Sequence, residues 1–260
     1  MSNNVLILDA GCQNYGKGGE LNHYLSRIAE EELTKLGWNV EITLIDSQWE
    51  TAAEAEKIKK ADVIIVQTPG WWMSTPWQLK RYEDLVFVQP GVVGNDGRSH
   101  LHPDDNYGKG GILTDKKFMI SSTWNAPKTA FDRKGDFFEG RGVDGVFFPL
   151  IKAFEFLGMK QLPSFMCNDV VKNPHIGEDV KRWKEHLRRV FKIEWLNSQR
   201  RKNPRTAIGD PRIFILDEPQ FDLRVPFPEW LCPVRRLYEA RGRPIPCIFR
   251  LRQWMCGFRK

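Results

Sequence analysis

Along residues 1–192, apolar positions follow two alternating rhythms. Five short runs are rich in β-branched and other apolar residues: VLILD (5–9), NVEITLI (39–45), DVIIVQ (62–67), KFMISST (117–123) and QLPSFMC (161–167). Compact runs of this kind suit strands covered on both faces, where no strict polar alternation is required. Between them the spacing changes. From Glu20 to Leu36, the residues Leu21, Leu25, Ile28, Ala29, Leu33 and Leu36 share one helical face, which predicts a helix that Gly37 ends. Similar patterns predict helices over 51–60, 76–87, 145–158 and 178–191. Pro76 and Pro149 fall in first turns, where a missing N–H leaves no bond unmade.

Five strand-then-helix units in succession require a parallel sheet with helices on both faces. Five units fit the α/β flavodoxin-like doubly wound order 2-1-3-4-5. Residues 88–116 interrupt the rhythm with a long glycine-rich connection before strand four, and connections of that length commonly carry function. Near residue 192 the rhythm stops. Residues 193–260 hold 8 of the 16 prolines, and 12 arginines against 2 lysines. Prolines interrupt every apolar run there. The expectation is a flavodoxin-like domain over 1–192 and an irregular, poorly ordered Arg/Pro-rich extension over 193–260. An arm for an acidic partner is the alternative for the extension.

Charge follows the same division. The formal net charge is +6, but residues 193–260 carry 14 basic against 7 acidic side chains. Residues 1–192 carry 25 against 26, so the body offers no electrostatic case for nucleic acid. No run approaches the roughly 18–20 apolar residues of a membrane helix. The start MSNNVLILDAGC has no basic and no long apolar region of signal-peptide type. These features predict a cytoplasmic protein without membrane insertion. The five cysteines are an odd number without metal-type spacing, which predicts free thiols and no metal.

In a doubly wound sheet, ligands bind beyond the carboxyl ends of the strands where the order reverses, here strands one and three. Three loops emerge at that edge. AGCQNYGKGG (10–19) runs into the first helix. Gly16, Gly18 and Gly19 let backbone N–H groups approach a ligand, Lys17 adds positive charge, and a helix N-terminus favours an anion. The loop is neither a Walker A sequence nor GxGxxG, so it predicts a phosphate or pyrophosphate outside the usual nucleotide folds. TPGWWMSTPW (68–77) offers proline-stiffened indole faces suited to a planar heterocycle. Trp71 and Trp72 are expected to face that ligand, and Trp77 to anchor the helix behind it. STWNAP (122–127) repeats the chemistry after strand four. One phosphate-type loop and two aromatic loops on one edge point to a flavin. A response regulator would need an aspartate where Gln67 and Thr68 stand.

These same stretches carry a resemblance. GGELN (18–22), ADVIIVQTPGWWM (61–73), PW (76–77), KFMIS (117–121), TWNAP (123–127), GVDGVFFP (142–149) and FLGM (156–159) resemble the modulator of drug activity B family. That family comprises flavodoxin-like, FAD-dependent NADPH:quinone oxidoreductases. The likeness spans residues 4–191, and the extension has no counterpart. Where the family often has Ser-Asn before Gly-Gln-Leu-Asn, this chain has Lys17-Gly18 before Gly19-Glu20-Leu21-Asn22. The resemblance implies FAD against Lys17, Gly18, Gly19, Glu20, Leu21, Asn22, His23 and Tyr24. It implies further contacts at Pro69, Gly70, Trp71 and Trp72, at Tyr107, and at Thr123, Trp124, Asn125 and Ala126. It also implies a homodimer with flavin sites at the subunit interface and residues 140–148 beside the substrates; no catalytic residue is assigned, Tyr107 being one candidate proton donor. The implied reaction is a ping-pong, two-electron transfer of hydride from NADPH to a quinone. The alternatives are an FMN-dependent azo- or nitroreductase and a non-enzymatic, flavodoxin-type electron carrier.

Overall fold

The computed structural model describes residues 3–13 and 18–202, with side chains described through Glu194. The apolar runs form β1 (Asn4–Asp9), β2 (Asn39–Leu44), β3 (Val63–Pro69) and β4 (Lys117–Thr123). Two short strands follow, β5 (Lys160–Gln161) and β6 (Phe165–Cys167). The helices are α1 (Glu20–Lys35), α2 (Thr51–Lys60), α3 (Trp77–Val86), α4 (Lys128–Asp132), α5 (Gly142–Val146), α6 (Phe148–Phe156) and α7 (Ile176–Lys202). Every pairing is parallel, in the order β2-β1-β3-β4-β5 with β6 also beside β4. This is the doubly wound order that the repeated units predict.

The period of two along each strand divides the core. Val5, Ile7, Val63, Ile65 and Met119 face α1 and α7, where Leu25, Leu33, Trp183 and Phe191 meet them. Leu6, Leu8, Ile64, Val66, Phe118 and Ile120 face α2, α3 and α6. Both faces are apolar, which is why these strands read as nearly continuous hydrophobic runs.

Three elements depart from expectation, each for an identifiable reason. The single helix expected over 145–158 is two: in a helix starting at 145, Pro149 lies past the free N–H groups of the first turn and would leave the Gly145 carbonyl unbonded and crowded. Pro149 instead opens α6. The strand expected over 161–167 is interrupted around Pro163, whose carbonyl accepts a hydrogen bond from His186 Nε2 at 2.9 Å. The closing helix, expected to end at 191, runs on to Lys202 and crosses the expected domain boundary. Glu194 in this added stretch pairs with Lys117 at the start of β4. The compact unit holding the sheet spans Met1–Ala207. The expectation of a poorly ordered extension falls, from residue 203 onward, outside the described residues.

Glu32 joins α7 to α1. Its buried carboxylate accepts from Arg188 Nε at 2.9 Å and from Lys35 at 3.1 Å, while Trp183 Nε1 donates to the Leu25 carbonyl at 3.1 Å. Burial opposes ionisation of Glu32, but the hydrogen bonds from Arg188 and Lys35 outweigh it and hold the carboxyl below the usual glutamate range. Glu32→Gln should therefore lower stability by about 1.5–3 kcal/mol, the range for hydrogen bonds to charged groups. A carboxyl held low in the folded state stabilises above the unfolded value and loses that contribution as pH falls through the folded one. Urea unfolding of both proteins should show the wild-type advantage at neutral pH and its loss in acid.

Candidate functional site

Each strand that is apolar through its length ends in polar residues at the carboxyl edge, and these residues organise the loops. In register, Asp9 of β1 lies level with Gln67 of β3, which lies level with Ser121 of β4. Asp9 is 1% exposed, yet both of its oxygens are engaged. Oδ1 accepts the Gly11 N–H at 2.9 Å, and Oδ2 lies 2.9 Å from His23 Nδ1. A carboxylate only accepts, so Nδ1 of His23 carries the proton. Asn22, buried in the first turn of α1, accepts from Gln67 Nε2 at 2.9 Å and from Thr123 Oγ1 at 3.3 Å. One turn of helix is thereby tied to the ends of β1, β3 and β4.

The first loop returns to α1 through Gly18 and Gly19, at φ of 125° and 87°. Side chains rarely adopt either conformation. A Cβ on Gly19 would also approach the Gly11 backbone to 2.9 Å. Gly19 is the N-cap of α1, and among the described residues no side chain caps it. Such a terminus attracts anions. Glu20 and Tyr24 are exposed, while Leu21 and His23 are half-buried. Lys17 lies outside the described residues. The Cys12 thiol in this loop is pushed up to about 12 by burial and by Asp46 and Asp9, so it stays protonated near neutrality.

In the second loop, Trp71 and Ser74 exchange two backbone hydrogen bonds of 2.8 and 3.0 Å. The residues between them, Trp72 and Met73, have φ of 46° and 60°. This tight turn holds two large side chains in the left-handed region and leaves Trp72 85% exposed, with Trp71 half-buried. Trp77 departs from its expected role: it is 63% exposed at the start of α3.

The buried indole is Trp124 in the third loop. It packs on Phe131, Phe138 and Phe147 with centroids 5.1, 5.9 and 5.5 Å away, and its Nε1 donates to Ser122 Oγ at 3.0 Å. Its backbone N–H donates to the Cys167 carbonyl at 2.9 Å. Trp124 is therefore core, and its indole forms no wall for a ligand. Gly70 lies against it, and a Cβ there would overlap the ring. Asn125 is exposed, and the Ala126 carbonyl accepts from Asp169 N and Asn168 Nδ2.

Tyr107 stands apart. Its ring lies 5.9 Å from Phe156, at the end of α6, and Gly111 packs against Gly158, just before β5 begins. These are features of the amino edge of the sheet. Within one chain, Tyr107 does not join the other expected residues. Beside the second loop, a pocket of about 270 Å³ is lined by Met73, Phe137, Phe138, Arg141 and Val146.

Residues 3–189 match the family described by the flavodoxin-like fold, and the chain belongs to that family. It is 46% identical over 190 residues to the NADPH:quinone oxidoreductase MdaB of Haemophilus influenzae, covering 72% of this chain and 99% of that one. It is 49% identical over 189 residues to an uncharacterized protein of Schizosaccharomyces pombe, covering 72% and 96%. Within the fold family, the chain is a member of the modulator of drug activity B group that its tryptophan loops predicted. General stress protein 14 of Treponema denticola, solved with FMN, shares the fold at a TM-score of 0.52 and 19% identity over 75% of this chain and 98% of that one.

The polar strand ends Asp9, Thr68, Ser121 and Ser122 went unassigned in the sequence, although their signal was present as polar residues closing apolar runs. The Gly70–Trp124 contact gives a direct test. Gly70→Ala should lower stability by about 1–3 kcal/mol, as overpacked substitutions do. Differential scanning calorimetry of the two proteins measures this, and an unchanged midpoint would contradict the close packing.

Proposed function

We propose that the chain is an NADPH:quinone oxidoreductase that works with bound FAD as a cytoplasmic homodimer. One observation carries the reading: an uncapped, glycine-lined helix start and a turn that thrusts indole surface into solvent share one sheet edge. The residues fit a flavin. Gly18, Gly19 and the first turn of α1 would hold its phosphates, with both glycines lying so close to the Gly11–Cys12 segment that a Cβ on either would crowd it. Pro69 to Trp72 and Thr123 to Ala126 would border its ring system, with Trp124 contributing through its backbone position alone. Gln67 adds a buried Oε1 with no partner among the described groups, at the strand end directly beneath. Bound flavin supplies the two-electron chemistry of such a reductase, and the protein supplies position and a dry, shaped surface.

The position of Tyr107 supports the homodimer, given the flavin contact that the resemblance implies for it. Standing 69% exposed at the amino edge, it meets a flavin only if a second copy brings its carboxyl edge alongside. The donor and the acceptor would occupy one place in turn, so double-reciprocal plots should give parallel lines. No helix among the described residues is long and apolar enough to cross a membrane.

Two measurements test the reading together. Purified protein should oxidise NADPH with menadione as acceptor and no added carrier, whereas an electron carrier would show flavin and negligible turnover. Trp72→Ala should weaken flavin binding by about 2- to 12-fold, the equivalent of one stacking contact of roughly 0.5–1.5 kcal/mol. Trp77→Ala should leave it unchanged. Equal flavin retention in Trp71→Ala, Trp72→Ala and the wild type would remove the aromatic loop from the site.

A further inference from the structure

Beyond these loops, a groove of about 750 Å³ runs along the open edge of the sheet, between β6, the α4–α5 segment and the middle of α7. That volume suits a ligand the size of a nucleotide. Its floor is aromatic: Phe165 packs on Trp183 and His186 at 4.7 and 5.6 Å, with the Arg182 guanidinium 5.1 Å from the Phe165 ring centroid.

His186 sets the polar chemistry of the wall. It is buried, and its Nε2 lies 2.9 Å from the Pro163 carbonyl, which can only accept. Nε2 therefore carries the proton, and Nδ1 accepts from Arg189 Nη2 at 3.2 Å. Burial holds this imidazole below the usual histidine range, and Arg189 and Arg182 lower it further. A neutral imidazole orients the Arg189 guanidinium without cancelling its charge. Among the described residues, Arg189 forms no ion pair with a carboxylate.

Three more cations line the groove. Lys128, Arg141 and Arg182 rest on Asp132, Glu139 and Asp179, in pairs whose cations are half or more exposed. Exposed pairs of this kind hold weakly and can rearrange around a stronger anion. Of the lining carboxylates, Asp132 is taken by Lys128, Asp144 accepts from Ser164 at 2.6 Å, and Glu185 is exposed. The groove also touches the third loop directly, because Asn168 in its wall donates to the Ala126 carbonyl at 3.3 Å.

We propose that this groove receives the phosphorylated adenosine end of the dinucleotide donor, with Arg189 binding the 2′-phosphate and His186 as its positioning residue. The assignment rests on the reductase reading and accounts for NADPH over NADH as donor. Planar guanidinium groups bind phosphate in bidentate fashion, and the 2′-phosphate is the group that separates the two dinucleotides.

Calorimetric titration of the flavin-loaded protein with 2′,5′-ADP, 5′-AMP and inorganic phosphate tests the site without turnover. Binding should be tightest for 2′,5′-ADP, and Arg189→Ala should weaken it by about tenfold, the loss expected of one charge-assisted pair. The ratio of kcat/KM for NADPH to that for NADH should fall by the same factor. Arg189→Lys, which keeps the charge but not the fork, should fall between. His186→Gln should raise KM for NADPH while kcat is retained, which a general packing defect would not do. Unchanged 2′,5′-ADP binding in Arg189→Ala, or equal losses with both dinucleotides, would overturn the proposal. So would inorganic phosphate binding as tightly as 2′,5′-ADP. Protein that lacks flavin but still binds 2′,5′-ADP through Arg189 would sink the reductase reading and support the groove.

Discussion

The candidate site depends on the buried polar contacts at the carboxyl edge of the sheet. Burying the carboxylate of Asp9 beside apolar strand ends is costly unless its oxygens find partners. Both do, in the Gly11 N–H and the His23 ring. Asn22 extends the same logic by accepting from β3 and β4 at once. A helix start, two loops and three strand ends thus share one set of hydrogen bonds. The Gly11 backbone is placed by that set, and Gly18 and Gly19 are what the close crossing of the described ends of the first loop requires.

The tryptophans divide into distinct roles. Trp124 fills the core and fixes where the third loop begins, and Gly70 is small because that indole lies against it. The second loop is then held at both ends, by the Gly70 N–H to the Thr123 carbonyl and by the Trp71–Ser74 exchange. Tight turns of this hand favour Asn-Gly, yet here they carry Trp72 and Met73. Strain of that kind, about 1–3 kcal/mol per residue, persists where surrounding contacts over-determine it, and it commonly marks functional sites. Here it is coupled to an almost fully exposed indole, a combination that makes sense when something planar covers it.

Much of the fold was legible because both sheet faces are apolar and the strands announce themselves. The ends of α2 and β4 fall where their patterns place them. The failures have physical sources. Apolar periodicity ran through Pro149 and Pro163, whose missing N–H groups divide a helix and a strand. Trp77 is exposed where it was expected to anchor α3, and Trp124 is core where it was expected to face the ligand, because a pattern cannot tell a buried indole from an exposed one. Tyr107, which the resemblance puts against the flavin, stands beside Phe156 at the opposite edge within one chain, and one chain's pattern carries no sign of that edge. The groove beside β6 was invisible, since Lys128, Arg141 and Arg189 meet only when three distant segments pack.

Releasing and quantifying flavin from freshly purified protein tests the central claim most directly. The account predicts one FAD per chain, identified by its chromatographic retention and mass. FMN in its place would contradict the assignment of the cofactor. A colourless protein that takes up neither flavin on reconstitution would contradict the site itself.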